Sequence, residues 1–254
     1  MRLALWQGHS PAGDISAAMA ALETALNAAG AAGATTLVTP EIYLPGYNHP
    51  AIADHAQPRG GAWHGTVAAF CRKAGCGIVL GYAERDGATV CNSALVLDDR
   101  GAQVAHYRKI QLYGPREKAL YTQGDAYVTF DMNGTKAAIL ICYDIEFAPH
   151  VAALAAQGVR IILVPTANMQ PYTHVVRHTV PAMAANHAVS IVYANYCGSE
   201  GDLDYVGGSL IAAADGSIPA QAGTTPALLI ADLPEGYPEQ HLSTQALDLR
   251  TIPL

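Results

Sequence analysis

Short apolar runs alternate along this chain with longer, alanine-rich stretches. The apolar runs at residues 3–7 and 136–141 have the length of buried strands, whereas residues 14–29 have the length of a helix. Asp14 is a suitable N-cap for that helix, and Gly30 is a suitable stop just past its end. Strands that alternate with helices predict an α/β protein in which helices cover the sheets.

The rest of the chain continues this alternation. Further strands are predicted at residues 35–39, 77–83, 89–97, 103–107, 159–164, 189–195, 206–213 and 227–232, and further helices at 61–74, 149–157 and 172–187. No repeat, low-complexity tract or linker breaks the pattern. We therefore predict one domain over residues 1–254, with a weakly patterned tail from about residue 234.

Composition narrows the class of protein. Of the 254 residues, 51% are hydrophobic and 14% are charged, which indicates a compact globular protein. The net charge of −7 does not favour nucleic acid, and no apolar run is long enough for an export signal or a membrane span. We expect a cytoplasmic protein that binds neither nucleic acid nor membrane. The five cysteines are scattered, without a C-x-x-C pair, as free thiols would be.

Cys142 directly follows the predicted strand at residues 136–141, and a predicted helix begins soon after it. A strand-to-helix turn exposes a side chain at the edge of a sheet and directs backbone N–H groups towards it. That setting lowers the pKa of a thiol and can hold an oxyanion. Cys142 is therefore a candidate nucleophile. The alternative is a small buried core residue, which is the commoner role of a lone cysteine.

Two charged residues also lie at the ends of predicted strands. Glu41 follows the run at residues 35–39, where burial would raise the pKa of the carboxyl group and suit it to act as a general base. Lys109 follows the run at residues 103–107, where a cation can stabilise a tetrahedral oxyanion. A charge at a strand end is usually a solvated turn residue, so neither residue alone identifies a site.

Three sequence blocks surround these residues in a fixed order. They read TPEIYLPGY at residues 39–47, YRKIQLYG at residues 107–114 and CYDIEF at residues 142–147. With these blocks the chain resembles the nitrilase superfamily, the carbon–nitrogen hydrolases, over roughly residues 1–233. The resemblance implies an α-β-β-α sandwich, in which two sheets are stacked and helices lie outside.

The resemblance also implies roles. Glu41 would be the general base, Lys109 the cation that holds the oxyanion, and Cys142 the nucleophile. The backbone N–H of Tyr143 would be the second oxyanion donor. Glu117 matches a second glutamate that many members carry, although its position between two basic residues also suits a surface residue. The implied reaction is hydrolysis of a small carboxamide to an acid and ammonia through an acyl-thioester, with no metal or other cofactor.

Candidate substrate-binding residues lie beside these blocks. They are Tyr47, Tyr113, Tyr143, Glu146, Asn168 and Tyr172. Relatives that act on anionic amides carry an arginine just after the cysteine, whereas this chain has Glu146 and no arginine before Arg160. We therefore expect neutral, small aliphatic or arylalkyl amides, and also cationic amines if Glu146 faces the ligand. If Glu146 instead pairs with a neighbour, Arg116 or Arg177 would have to serve an anionic substrate.

Several alternatives remain open at the level of sequence. Within the superfamily they are a carbamoyl-amine hydrolase and a nitrilase, although true nitrilases usually show Trp-Glu where this chain has Tyr143-Asp144. From a different class, the same fold could serve as a non-catalytic binding module. Family members commonly pair through helices next to the active site, so we expect a homodimer.

Overall fold

The computed structural model describes residues 1–250 and 252. Its strands are β1 (Arg2–Gln7), β2 (Thr36–Val38), β3 (Gln57–Pro58), β4 (Gly77–Asp86), β5 (Thr89–Leu97), β6 (Gln103–Arg108), β7 (Thr129–Met132), β8 (Thr135–Ile139), β9 (Ile161–Pro165), β10 (Ser190–Ala194), β11 (Cys197–Glu200), β12 (Leu203–Val206), β13 (Leu210–Ala212), β14 (Ala220–Gln221) and β15 (Ala227–Asp232). Its helices are α1 (Ile15–Ala31), α2 (Ile52–His55), α3 (Ala62–Ala74), α4 (Gly114–Leu120), α5 (Ala148–Ala156), α6 (Val180–His187) and α7 (Gln245–Asp248). Shorter 3₁₀ or π turns cover Cys142–Glu146, Val175–Thr179 and Glu239–His241.

The strands form two large sheets. The first has the order β15-β1-β2-β4-β5-β6, with β3 added beside β4, and the second has the order β14-β13-β10-β9-β8-β7. Strands β1, β2 and β4 are mutually parallel, as are β8, β9 and β10. The carboxyl ends of parallel neighbours meet at one edge of a sheet, which is where loops collect side chains for function.

The two sheets face each other across one apolar core. In β1, Leu3 and Leu5 contact this core while Ala4 faces the opposite side, because side chains alternate along a strand. Helices α1 and α3 pack on the outer face of the first sheet, and α5 and α6 pack on the second. The layer order of helix, sheet, sheet and helix confirms the predicted α-β-β-α sandwich.

The start of α1 agrees with the prediction, but its end does not. Asp14 caps the helix, since its Oδ1 accepts the N–H of Ala17 at 2.8 Å. The helix then runs through Gly30 and ends at Ala31. A Cβ atom on Gly30 would lie 2.0 Å from the backbone oxygen of Ala74 at the end of α3. Glycine is needed here for the close approach of two helices, and not as a helix stop.

Other differences occur where the chain makes short elements. The predicted helix at residues 172–187 is present from Thr173, but its first part is wound as the π turn Val175–Thr179. The strand predicted near 206–213 is interrupted by Gly207 and Gly208, whose φ angles of +64° and +69° break the extended conformation. Helix α4 and strand β7, which have four to seven residues, were not predicted because so short a stretch carries little periodic signal.

The last part of the described chain packs only loosely on the sandwich. After Leu233, which is buried, the chain forms a 3₁₀ turn and α7, and Leu247 and Leu249 are largely exposed. The single domain over residues 1–254, with a tail from about residue 234, stays a prediction. Within the described residues, no helix combines the length and the apolar character needed to cross a bilayer.

Candidate active site

The loops that follow β2, β6 and β8 carry Glu41, Lys109 and Cys142 to one place between the sheets. The N–H of Glu41 donates to the backbone oxygen of Thr166 at 3.2 Å, which joins the loop after β2 to the loop after β9. A Cβ atom on Gly81 of β4 would lie 2.4 Å from the backbone oxygen of Pro40. Only glycine at that position lets the loop bearing Glu41 pack so closely on the first sheet.

Lys109 lies between two buried carboxylates. Its Nζ donates to Oε1 of Glu41 at 2.6 Å and to Oε1 of Glu117 at 2.8 Å, and all three side chains are shielded from water. Asn92 of β5 donates through Nδ2 to the same oxygen of Glu41 at 2.6 Å. The backbone oxygen of Asn92 also accepts the N–H of Lys109 at 2.8 Å. The strand pair β5–β6 therefore fixes both ends of the ion pair.

Both carboxylate oxygens of Glu117 accept hydrogen bonds. Its Oε1 accepts the hydroxyl of Tyr47 at 2.7 Å in addition to Lys109, and its Oε2 accepts the N–H of Tyr113 at 2.7 Å. The side chain is 1% exposed, so the alternative of a surface residue is wrong. With every oxygen engaged, Glu117 is placed to hold Lys109 and not to exchange protons with a ligand.

The charged groups in this cluster shift the pKa values of one another. Burial, and to a smaller extent the charge of Glu117, raise the pKa of Glu41 to about 7, although Lys109 opposes the rise. Burial alone would lower the pKa of Lys109, but the two carboxylates more than offset this and hold it well above its usual value. Oε2 of Glu41 is buried and, among the described residues, has no hydrogen-bond partner. Near neutral pH this oxygen is available to accept a proton.

Cys142 begins the 3₁₀ turn that follows β8. Its backbone φ is +46°, a value that residues other than glycine rarely adopt. The carboxylate of Asp144 holds this turn. It accepts the N–H of Ile141 at 3.0 Å, the N–H of Gln111 at 2.7 Å and the hydroxyl of Tyr107 at 2.7 Å. Asp144 thus connects the turn bearing the thiol to the segment that follows Lys109.

The predicted lowering of the thiol pKa is wrong. Burial raises the pKa of Cys142 well above its usual value, the charge of Glu41 raises it further, and Lys109 lowers it only in part. A turn of five residues supplies too few aligned peptide groups to outweigh this burial. The resting site therefore holds a thiol beside a carboxylate. The N–H of Tyr143 donates to no backbone oxygen within the described residues, as expected at the start of a helical turn.

A cavity of about 230 Å³ opens onto Cys142. Its wall includes all six residues that the sequence suggested for substrate binding, together with two that it did not assign to binding: Tyr47, Tyr113, Tyr143, Glu146, Asn168, Tyr172, Met169 and His174. The hydroxyl of Tyr113 donates to that of Tyr172 at 2.8 Å on the exposed side. The role of these residues in binding stays a prediction.

Neither arginine considered for an anionic substrate lines this cavity. Arg116 donates from Nη1 to the backbone oxygen of Tyr47 at 3.0 Å, and its guanidinium lies 5.6 Å from the centre of the Tyr47 ring. Arg177 is exposed on the π turn. In the described part of the chain, no group of three or more His, Cys, Asp or Glu side chains is arranged to hold a metal ion.

Comparison with known proteins places this arrangement in a family. The family model for carbon-nitrogen hydrolases matches residues 2–240. The chain belongs to the carbon-nitrogen hydrolase family. It is similar to the hydrolase in the pqqF 5′ region of Pseudomonas protegens, with 39% identity over 92% of this chain and 82% of that protein. It is also similar to an (R)-stereoselective amidase from a Pseudomonas species, with 34% identity over 80% of this chain and 74% of that protein.

Solved structures agree with this membership. The amidase from Nesterenkonia sp. AN1 superposes with a TM-score of 0.89 and 31% identity, over 98% of this chain and 94% of that chain. One of its structures is a variant with alanine at the cysteine, in complex with butyramide. Another shows the acetamide moiety of fluoroacetamide added covalently at the active-site cysteine. The family, the fold and the class of amide-hydrolysing enzyme predicted from the sequence are thereby confirmed.

Some residues of this carbon-nitrogen hydrolase site were not predicted from the sequence. Asn92 stands inside the strand predicted at residues 89–97, where the polar pair Asn92-Ser93 in an otherwise apolar run was the available signal. Asp144 lies within the recognised block at residues 142–147, but the sequence does not show which groups its carboxylate accepts. Met169 reaches the cavity from the loop after β9, and His174 from the start of the helical segment that follows this loop, whose course could not be derived from periodicity.

Proposed function

We propose that this protein hydrolyses small carboxamides without an anionic group to the acid and ammonia, through an acyl-thioester on Cys142. One observation carries the assignment of residues. A protonated lysine lies between two buried carboxylates close to the thiol, which lines the cavity, and one carboxylate oxygen has no hydrogen-bond partner among the described residues. The similar amidases from Pseudomonas and Nesterenkonia support amide hydrolysis as the class of reaction.

In the first half-reaction, the free oxygen of Glu41 takes the proton of Cys142 as the sulfur attacks the carbonyl carbon. The carbonyl oxygen becomes an oxyanion, held by Nζ of Lys109 and the N–H of Tyr143. When the oxyanion collapses, the carbon–nitrogen bond breaks and Glu41 returns the proton to the leaving nitrogen. Ammonia departs, and the acyl group remains on the sulfur as a thioester.

In the second half-reaction, a water molecule replaces ammonia. Glu41 takes one proton from this water as its oxygen attacks the thioester carbonyl, and the same two donors hold the new oxyanion. The carbon–sulfur bond then breaks, Glu41 returns the proton to the sulfur, and the carboxylic acid leaves. Glu117 positions Lys109 throughout, because its three hydrogen bonds leave it no oxygen for the reaction.

The test is ammonia release from butyramide, with mass spectrometry of the intact protein during turnover. We expect ammonia release, and an acyl adduct on the peptide that contains Cys142. Alkylation by iodoacetamide should favour Cys142, because the other cysteines (Cys71, Cys76, Cys91 and Cys197) are buried. Equal labelling of all five, with no ammonia release, would instead favour the non-catalytic binding module. Parallel assays with butyronitrile and an N-carbamoyl amine separate the nitrilase and the carbamoyl-amine hydrolase.

Assembly and location are further parts of this proposal. We propose a homodimer in the cytoplasm, supported by the pairing that is common in the family and by cysteines that are all free thiols. Light scattering coupled to size-exclusion chromatography measures the assembly. A mass corresponding to a single chain of 26.5 kDa would contradict the dimer.

A further inference from the structure

Glu146 places a carboxylate on the wall of the cavity that holds Cys142. Burial raises the pKa of this group, and His174 and Lys109 lower it only in part. Among the described residues, the ion pairs within 4 Å do not include Glu146. Partial removal of a carboxylate from water without a cationic partner costs free energy. A ligand that supplied the cation would offset this cost and would therefore bind more tightly.

The rest of the wall fits such a ligand. Tyr113 lies edge-on to Tyr143, with ring centres 5.3 Å apart, and edge-on to Tyr172, with ring centres 6.0 Å apart. Glu146 is close enough to Tyr113 that its charge adds to the rise in the pKa of that hydroxyl, to about 12. Aromatic rings attract cations through their π-systems, and a carboxylate among them gives a direction to that attraction.

The same wall disfavours anions. No arginine or lysine of the described chain is among the residues that line the cavity, and the nearby Arg116 is occupied by backbone oxygens. The charged cluster below the cavity holds two carboxylates against one lysine, so it adds no net positive charge. The volume of about 230 Å³ is below the range of about 300–1,000 Å³ that is typical of pockets for drug-sized ligands.

We propose that the preferred substrates are amides of short amino acids, whose protonated amine is bound by the carboxylate of Glu146 between the tyrosines. This inference rests on the proposed amidase function and narrows it to one substrate class. It makes Glu146 a specificity-determining residue and leaves the bond-breaking steps to Glu41, Lys109 and Cys142. The ammonium group binds at Glu146 and the scissile carboxamide at Cys142, both of which line one small cavity.

The test compares two amides of the same size. Butyramide and 3-aminopropionamide have the same number of heavy atoms, and near neutral pH only the second carries a cation. We expect kcat/KM for 3-aminopropionamide to exceed that for butyramide by about tenfold or more, as a hydrogen bond between charged groups would give. In Glu146→Gln this ratio should fall by about tenfold. Glu235→Gln removes the same charge from an exposed site and should keep the wild-type ratio.

The outcomes separate the two proposals. The ratio is measured within one preparation, so a loss of folded protein cancels from it. Hydrolysis of butyramide with a ratio of one or less, or a ratio unchanged in Glu146→Gln, overturns the ammonium site and leaves the amidase function standing. Hydrolysis of neither amide overturns both. If Glu146→Gln does not fold, inhibition of the wild-type enzyme decides: propylamine should inhibit butyramide hydrolysis, and equal inhibition by propionate would refute the ammonium site.

Discussion

The site has two parts that differ in how their charges are satisfied. The foot of the site is the buried cluster of Glu41, Lys109 and Glu117, in which the lysine is bonded to both carboxylates and water is excluded from all three side chains. On the wall, Glu146 is half-buried and lacks an ion-pair partner among the described residues, and Tyr172 is 37% exposed. Groups that are fixed before the ligand arrives suit the chemical steps, whereas groups still lacking a partner suit recognition. Changes at the foot should therefore affect kcat, and changes on the wall should affect the choice of substrate.

The largest effect is expected at the nucleophile. Cys142→Ala should reduce kcat/KM by about a thousandfold or more, because no other group in the cavity can form the acyl intermediate. The fold should remain, since only a sulfur atom is removed; circular dichroism and ammonia release measure the two properties. Residual activity above about a hundredth of the wild-type value would show that Cys142 is not the nucleophile.

Loss of the general base should be nearly as severe. Glu41→Gln keeps the shape of the side chain but removes the acceptor for the thiol proton, so kcat should fall by about a hundredfold or more.

Lys109→Ala should also abolish turnover, and it should lower the melting temperature as well, because two buried carboxylates lose their shared cation. A Lys109→Ala enzyme with normal activity would exclude the lysine from the oxyanion site.

Glu117→Gln should have an intermediate effect. The variant retains an oxygen for Tyr47 but weakens the hold on Lys109, so we expect kcat to fall while a reactive substrate still acylates Cys142 slowly. Time-resolved mass spectrometry should then show the acyl adduct accumulating. Wild-type rates in this variant would mean that Asn92 and Glu41 alone are sufficient to position the lysine.

The pH profile tests the charge state of the foot. Only the ionised carboxylate can accept the thiol proton, and the pKa of Glu41 is raised to about 7. With butyramide, kcat/KM should therefore fall by about tenfold per pH unit as the pH drops below 7, and it should level off above that value. A profile that instead stayed flat down to pH 5 would show that Glu41 ionises lower than its burial implies.

The smallest effect is expected on the exposed side of the wall. Tyr172→Phe removes the acceptor of the Tyr113 hydroxyl, an exposed hydrogen bond of 2.8 Å worth about 1 kcal/mol or less. We expect KM for butyramide to rise less than about fivefold, with little change in kcat. A loss of kcat comparable to that of Glu117→Gln would mean that Tyr172 acts in the chemical steps, and that the foot and the wall do not differ in function.

The foot could be predicted from sequence because its parts follow strands. Glu41, Lys109 and Cys142 each come within two residues of the end of a predicted strand, and the blocks around them are specific to the family. The pKa of Cys142 could not be predicted, since its direction depends on how deeply the packed sheets bury the thiol. Asn92 was missed for a related reason: its contact with Glu41 arises only when β4 pairs with both β2 and β5 in the observed register.

The wall was predicted less completely, because it is built by loops. Tyr143 and Glu146 were found through their closeness to Cys142 in the chain, and both line the cavity. His174 lies in the predicted helix and is helical in the structure, but the pattern does not show that the preceding loop brings this first turn to the cavity. Local patterns of apolar residues describe helices and strands well but say little about where a loop turns.

The backbone of Cys142, with its φ of +46°, has a consequence for the stability of the whole molecule. A side chain in this left-handed region costs about 1–2 kcal/mol, against a net folding free energy of about 5–15 kcal/mol for a typical protein. The hydrogen bonds of Asp144 oppose this strain, which remains part of the folded state. The turn that presents the sulfur to the cavity therefore lowers a net folding free energy that is already small. If Cys142 is the nucleophile as proposed, the position of the sulfur that serves the reaction also lowers the stability of the fold.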